Sequence, residues 1–249
     1  MTPKEPVLEV DGLTKRYGKI KALKDVNIQI NHGEVVGLIG PNGAGKSTLF
    51  NCIMSVVPVT DGDVWFRKEK ITSLKTADIV KRGVSRSFQV ARVFPKLTVW
   101  ENMAVFQEHA NENMFKTTVA SPEGSAGTRI DELLEMVDLE KLSDEQAGNL
   151  SGGQKRLLSI ASALVRDPDL ILLDEPTAGV NPGLVDDIID IITTLNDQGH
   201  TFLFIEHDMD VMEEIAERAY VLANGQNLVE GDPDNVLTDD RVLEAYFGE

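Results

Sequence analysis

One stretch of the chain combines glycines, a lysine and hydroxyl side chains at the spacing that phosphate binding requires. It reads Gly40-Pro41-Asn42-Gly43-Ala44-Gly45-Lys46-Ser47 and is followed by Thr48. The pattern G-x-x-x-x-G-K-[ST] lets backbone N–H groups surround phosphates, because glycines allow close approach. Lys46 is then placed to reach the outer phosphates and the Ser47 hydroxyl to ligate Mg²⁺. This stretch, the phosphate cradle, predicts binding of a nucleoside triphosphate with magnesium, in a kinase, a GTPase or an ATPase.

Two adjacent carboxylates follow a second apolar run. Asp174 and Glu175 come directly after Leu170-Ile171-Leu172-Leu173, and open α/β sheets bind their ligands at the C-terminal ends of such strands. Asp174 suits the magnesium shell, and Glu175 suits the orientation or deprotonation of the water that attacks a γ-phosphate. An Asp-Glu pair is by itself more often a helix cap or a solvated corner. The interpretation as a site therefore depends on the cradle upstream.

The elements that must position these residues are visible as short apolar runs separated by helical segments. Continuous runs at residues 34–39, 170–173, 201–205 and 219–222 predict buried parallel strands. Apolar residues recur at helical spacing in two segments between them, which are Val185, Ile188, Ile189, Ile192 and Leu195, and Ile130, Leu133, Leu134 and Val137. The layout is that of a doubly wound α/β protein.

Two regions depart from this alternation. Residues 7–10 and 26–30 alternate apolar and polar side chains, which predicts half-exposed antiparallel strands in a β layer beside the core. Residues 97–166 favour helix, with a polar stretch at 108–127 that predicts an exposed loop. Each chemical motif occurs once, so the chain is expected to hold one catalytic unit.

Composition narrows the class of partner. The 249 residues include 41 acidic against 24 basic side chains, a formal net charge of −17, which repels the phosphate backbone of nucleic acid. No stretch approaches the roughly 20 apolar residues that span a bilayer, so a cytosolic location is expected. Cys52 stands alone, which excludes an internal disulfide and fits a small buried side chain.

The segment Leu150-Ser151-Gly152-Gly153-Gln154 decides between the nucleotide-binding classes. Together with the cradle and the carboxylate pair it resembles the signature of ABC ATPases, and the resemblance covers essentially the whole chain. It implies a single ABC ATPase domain with a P-loop NTPase (RecA-like) α/β core, an N-terminal antiparallel β layer and an inserted helical subdomain. Residues 1–90 and 167–249 are expected to form the core with its β layer, and residues 91–166 the helical subdomain.

The same resemblance implies roles for further residues. Gln89 occupies the Q-loop position, which serves catalysis and magnesium binding, and His207 the switch-histidine position, with Lys46 and Glu175 as the other catalytic groups. Tyr17 stands where family members stack an aromatic ring on adenine. Ser151, Gly152, Gly153 and Gln154, the signature segment, offer N–H donors and a helix dipole to an anion. In the family that anion is the γ-phosphate held by the other subunit of a two-fold dimer.

Subgroup features look like those of the ATPases of branched-chain amino-acid importers. They lie at residues 86–99, 178–182, 230–233 and 241–248. This implies integral-membrane permease subunits as partners, a second ATPase subunit of the same or a homologous chain, an indirectly coupled extracytoplasmic solute-binding protein, no nucleic acid, and a peripheral position on the inner face of the cell membrane. A permease helix is expected near residues 89–101, where Phe94 and Trp100 either meet it or fill the subdomain core.

Two departures leave alternatives open. Asn181 stands where most ABC ATPases have aspartate, a feature that the branched-chain group shares and that leaves the coupling between subunits open. Gly152 stands where many members of the branched-chain group have tyrosine, which leaves the substrate open. ATPases of urea import and of lipopolysaccharide export therefore remain alternatives. A soluble ABC protein of translation or DNA repair is a further one, although such proteins usually carry two cassettes or a long coiled-coil insertion and need a basic nucleic-acid face.

Overall fold

The computed structural model describes residues 5–87, 93–107 and 125–247. Its strands are β1 (Pro6–Tyr17), β2 (Ile20–Asn31), β3 (Val35–Ile39), β4 (Asp61–Phe66), β5 (Glu69–Lys70), β6 (Val84–Arg86), β7 (Leu170–Asp174), β8 (Thr201–Ile205), β9 (Arg218–Ala223) and β10 (Gln226–Gly231). Its helices are α1 (Lys46–Ile53), α2 (Thr76–Lys81), α3 (Val99–Gln107), α4 (Ser125–Met136), α5 (Gly152–Leu164), α6 (Pro182–Asp197), α7 (Met209–Ile215), α8 (Pro233–Leu237) and α9 (Asp240–Phe247).

A six-stranded sheet in the order β10-β9-β3-β8-β7-β6 forms the centre of the fold. All its neighbours pair in parallel except β9 and β10. Side chains of β3 alternate between two cores, Val35 and Ile39 facing one and Val36 and Leu38 the other. Because both faces are buried, such strands appear in the sequence as continuous apolar runs. The four runs predicted as strands are confirmed as β3, β7, β8 and β9.

The predicted β layer is a four-stranded antiparallel sheet in the order β2-β1-β4-β5. Its inward side chains, such as Leu8, Val10 and Ile28, share a core with α1 and one face of the central sheet. The alternating pattern arises because the opposite face of this layer meets solvent. The α/β fold class predicted from the sequence is confirmed.

Helices cover the other face of the central sheet. Helices α3, α4 and α5 pack together, and their apolar side chains form one core with β7, β8 and α6. Helix α4 begins at Ser125, so the loop predicted at residues 108–127 was wrong for its last three residues, since small residues are tolerated in a first helical turn. Residues 108–124 of that predicted loop lie outside the described ranges. The assignment of residues 91–166 to a separate subdomain stays a prediction. Within the described ranges, no helix is long and apolar enough to cross a membrane.

Candidate nucleotide site

The phosphate cradle connects the central strand β3 to helix α1. At Gly40 the backbone φ is +147°, and an added Cβ would lie 2.0 Å from the Leu222 carbonyl oxygen of the neighbouring strand β9. Only glycine fits there. At Gly45, the residue before the helix, φ is +109° and a Cβ would come within 2.8 Å of the Ala22 carbonyl oxygen. The two glycines therefore let the loop turn tightly between β2 and β9 before α1 begins.

Lys46 is buried and its ammonium group lies against the cradle itself. Its Nζ donates hydrogen bonds to the carbonyl oxygens of Gly40 and of Pro41, the latter at 3.3 Å. Burial lowers the pKa of Lys46, and the carboxylates of Glu175 and Asp174 oppose this shift. An anion bound in the loop would stabilise the charged ammonium further, because an opposite charge nearby favours the ionised form. This arrangement suits a phosphate ligand.

Asp174, at the end of β7, is 2% exposed and is held by an arginine that the sequence analysis did not assign to the site. Arg86 Nη2 donates to Asp174 Oδ2 at 2.6 Å and Nη1 donates to Asn51 Oδ1 at 2.7 Å. The guanidinium also lies over the Phe50 ring, 5.4 Å from its centroid. Asp174 Oδ1 is buried and makes no hydrogen bond within the described part of the chain. A buried anionic oxygen without a donor suits a divalent cation.

Glu175 and His207 meet across the ends of β7 and β8. Glu175 Oε1 lies 3.0 Å from His207 Nε2. The φ of Glu175 is +51°, a left-handed conformation that costs a non-glycine residue about 1–3 kcal/mol and occurs often at functional sites. An open cavity of about 300 Å³ joins this pair to the cradle. It is lined by Ala22, Asn42, Gly43, Ala44, Gly45, Lys46, Ser47, Thr48, Glu175 and His207.

The signature segment is not brought to this cavity, since none of its four residues is among the lining residues. Ser151 caps helix α5 by accepting a hydrogen bond from the Gln154 N–H at 3.2 Å, and the Gln154 side chain accepts one from the Ser151 N–H at 2.9 Å. A Cβ on Gly152 would meet nothing within 4 Å in the described chain, whereas one on Gly153 would lie 2.5 Å from Leu184 Cδ2. The outer side of the segment therefore faces open space.

Four other predicted site residues of the described chain do not line the cavity, namely Tyr17, Gly40, Pro41 and Asp174. Tyr17 is 46% exposed at the end of β1, with Lys15 Nζ 4.8 Å from its ring centroid, and does not line the cavity. Its stacking on adenine stays a prediction. Gln89 lies outside the described residues, so its predicted role is untested.

The C-terminal helix contributes a further residue that the sequence analysis missed. The N–H of Gly40, the first residue of the cradle, donates to the Tyr246 hydroxyl of α9 at 2.7 Å. Burial raises the pKa of Tyr246, so the phenol stays protonated at neutral pH. No local motif indicates this contact, because it joins residues that are 206 positions apart in the sequence.

Comparison with known proteins defines the class. The sequence profile of the family described as ABC transporter matches residues 23–178, more than half of the chain. The chain therefore belongs to the ABC transporter family, as an ATP-binding subunit and transport ATPase, which confirms the resemblance drawn from the sequence.

Relatives narrow the group. Over 98% of its length the chain is 38% identical to the probable branched-chain amino acid transport ATP-binding protein LivG of Methanocaldococcus jannaschii, covering 98% of that protein. It is 36% identical over 98% of its length to the high-affinity branched-chain amino acid transport ATP-binding protein LivG of Escherichia coli, covering 99% of it.

Solved structures agree with this grouping. The ADP conformation of an ATP-binding cassette of an ABC transporter superposes with a TM-score of 0.88 at 36% identity, covering 99% of this chain and all of that one. A dimeric post-hydrolysis ATP-binding cassette bound to ADP and phosphate superposes with a TM-score of 0.78 at 30% identity, over 91% of this chain and 98% of that one.

Proposed function

We propose that the chain is the Mg²⁺-dependent ATPase subunit of an importer for branched-chain amino acids. The observation that carries the chemistry is the single cavity that joins the cradle, with Lys46, to the Glu175–His207 pair. Ser47 and Asp174 would hold the magnesium ion, together with Gln89 as the resemblance implies. When bound, the ion supplies neutralisation of phosphate charge.

The protein groups supply positioning and proton transfer. Lys46 moves its hydrogen bonds from the loop carbonyls to the outer phosphate oxygens. The Glu175 carboxylate accepts a proton from water as the new O–P bond forms and the bond to the β-phosphate breaks, giving ADP and phosphate. His207 holds that carboxylate in orientation through its 3.0 Å contact. In this assignment Glu175 and His207 are the catalytic pair.

Replacing Glu175 tests this assignment directly. Glu175→Gln keeps the size and contacts of the side chain but cannot accept the proton, so hydrolysis should fall by about 100-fold or more. Affinity for ATP should stay within about twofold, because the cradle is unchanged. Phosphate release and fluorescent-ATP titration measure the two quantities. Undiminished hydrolysis in this variant would exclude the assignment.

We further propose that two chains, or this chain and a homologous one, sandwich two nucleotides between the cradle of one and the signature segment of the other. Support comes from the open space outside Gly152 and from the exposure of Ser151, whose helix N-terminus can still offer N–H groups to an anion. The dimeric relative bound to ADP and phosphate is consistent with this arrangement.

The membrane partner is proposed to dock in an apolar groove between α2, α3, α5 and the segment that follows α1. The groove has a volume of about 400 Å³, and its residues include Val56, Val80, Phe94, Val105 and Phe106. Val56 and Phe94 are 55% and 48% exposed, so they add to a contiguous apolar surface of the kind that marks a partner site. Phe94 lies in the segment where the resemblance implies a permease helix. A cytoplasmic helix of an integral-membrane permease is the proposed occupant, which would hold the chain at the inner face of the membrane.

Trp100, unlike Phe94, does not line the groove. It is half-buried, packs against the helical core, and its Nε1 donates to Asp131 Oδ1 at 3.2 Å. Of the two aromatic residues singled out in the sequence, Phe94 is therefore assigned to the groove and Trp100 to the interior.

Affinity purification from membranes of the native cells tests the partner. The tagged chain, extracted in mild detergent, should retain polytopic permeases, a second ATPase and a solute-binding protein by mass spectrometry. Phe94→Asp should lose the permeases while binding ADP normally, whereas Phe247→Asp, a 76% exposed residue outside the groove, should keep them.

Recovery of ribosomes or repair factors without a permease would overturn the importer assignment. Uptake assays with the recovered binding protein would separate amino acids from urea, and a lipid-export partner would point to the remaining alternative.

A further inference from the structure

A buried glutamate makes contact with both loops that carry the Glu175–His207 pair. Glu206 follows β8 and is 2% exposed. Its Oε1 accepts hydrogen bonds from the Thr177 backbone N–H at 2.8 Å and from the Thr177 hydroxyl at 2.7 Å. Its Oε2 accepts one from the His207 backbone N–H at 3.1 Å. One carboxylate therefore bridges the loop after Glu175 and the residue that faces Glu175.

The backbone of Glu175 needs such support. Its left-handed φ of +51° is unfavourable for a residue with a Cβ, and such a conformation persists only where the surroundings hold it. The Glu175 N–H donates to the Ile205 carbonyl oxygen at 2.9 Å, and the Glu175 carbonyl oxygen accepts a hydrogen bond from Arg156 Nη2 at 2.9 Å. Glu206 adds two hydrogen bonds at Thr177, two residues further along the same loop.

The buried charge of Glu206 is compensated nearby. Arg156, on α5, is 6% exposed, and burial lowers the pKa of its guanidinium while Glu206, Glu175 and Asp174 oppose that shift. A buried carboxylate is tolerated when donors and an opposite charge surround it. Glu206 has three donors and this neighbouring cation, and its two oxygens accept all three hydrogen bonds.

We propose that Glu206 is a positioning residue for ATP hydrolysis, which holds the Glu175 loop and the His207 backbone in register so that the carboxylate and imidazole meet. This inference rests on the proposed roles of Glu175 and His207. Glu206 does not line the cavity, so it acts on the chemical step and not on nucleotide binding. A group of this kind changes kcat and leaves the affinity for ADP unchanged.

Glu206→Gln is the main test. The glutamine has the same shape, but its NH₂ group would face an N–H donor at Thr177 or His207, which breaks the bridge. We expect kcat to fall by about tenfold or more while the ADP dissociation constant, measured by calorimetry, stays within about twofold. Wild-type kcat in a folded Glu206→Gln variant would overturn the proposal, as would an equal loss of ADP affinity.

Thr177→Val keeps the test decisive if Glu206→Gln does not fold. It removes only the hydroxyl donor, so kcat should fall by about threefold with ADP affinity unchanged. If both variants fold, the double variant should be no slower than Glu206→Gln alone, because both act through one contact; fully additive losses would contradict the bridge. Glu175→Gln, assayed in parallel, separates the two proposals. If it hydrolyses ATP normally, the proposed function fails, and if only the Glu206 and Thr177 variants are normal, this inference alone fails.

Discussion

The two proposed phosphate-binding regions of the chain, the cradle and the signature segment, differ in where their side chains make contacts. On the cradle side, Lys46, Asp174 and Glu175 each contact another group of the same chain, and the loop is fixed between β2 and β9. On the signature side, Ser151 and Gln154 cap the start of α5 through hydrogen bonds to each other, and the space beyond Gly152 is open within the described residues. This difference fits the proposal that the cradle is a preformed half-site and that the signature segment acts on a ligand held by another subunit.

The largest effect on ATP hydrolysis is expected from a substitution in the signature segment. Ser151→Arg places a long cationic side chain on the open face, so hydrolysis should fall by more than about 100-fold, the scale of losing an anion-stabilising contact. ADP affinity should be unchanged, since the segment does not line the cavity. A malachite-green phosphate assay and calorimetry measure the two. Normal turnover would mean that the signature segment plays no part.

Mixing two inactive variants tests whether each site is built from both subunits. In a two-fold dimer of Ser151→Arg with Lys46→Met, one composite site carries both defects and the other carries none. An equimolar mixture of two inactive variants should then regain about one quarter of the wild-type rate if the sites act independently. Either variant mixed with itself is the control. Persistent inactivity of the mixture would contradict independent composite sites.

Breaking the ion pair between Arg86 and Asp174 tests how much the internal contacts of the cradle side stabilise the fold. Arg86→Met leaves Asp174 buried beside an apolar side chain, which should lower the free energy of unfolding by about 3–5 kcal/mol. Arg86→Lys keeps the charge and should lose less. Urea unfolding followed by circular dichroism gives both values. An unchanged midpoint for Arg86→Met would show that the pair does not stabilise this side.

Removing the cradle ammonium separates binding from folding. Lys46→Met loses charged hydrogen bonds to phosphate, so ADP affinity should fall by about 10- to 100-fold. The apo protein should melt at the same temperature or higher, because burial lowers the pKa of Lys46 and the charged group is unfavourably desolvated. Calorimetry and thermal melting check the two halves. A large fall in melting temperature would mean that Lys46 is mainly structural.

The smallest effect is expected at the contact between α9 and the cradle. Tyr246→Phe removes the acceptor for the Gly40 N–H and should cost about 1 kcal/mol, seen as a several-fold weaker affinity for ATP. Tyr220→Phe is the matched control. The Tyr220 hydroxyl accepts a hydrogen bond of 3.1 Å from the Gln29 N–H, and neither residue lines the cavity. This variant should lower stability without weakening nucleotide binding. Equal affinities for ATP in the two variants would show that the contact between α9 and the cradle does not contribute to nucleotide binding.

The sequence predicts well those features whose physical cause is local. Runs buried on both faces gave β3, β7 and β8, and the spacing of glycines and Lys46 gave the cradle. The contacts of Arg86, Tyr246 and Glu206 could not be predicted in the same way. Arg86 reaches Asp174 across 88 positions of sequence and Tyr246 reaches Gly40 across 206, and such contacts depend on how distant elements pack. Glu206 lay beside a predicted residue, but only the folded loops show that it bridges Thr177 and His207.

The place of β3 at the centre of the sheet has a consequence for the order of folding. Its two hydrogen-bonded neighbours, β8 and β9, lie at residues 201–205 and 218–223, so the strand that carries the cradle has no neighbouring strand until a very long loop has closed. Contacts between residues so distant in sequence slow folding, because the entropy of loop closure is lost before the contacts form. The cradle should therefore be among the last parts to become native, and recovery of nucleotide binding during refolding would report completion of the central sheet.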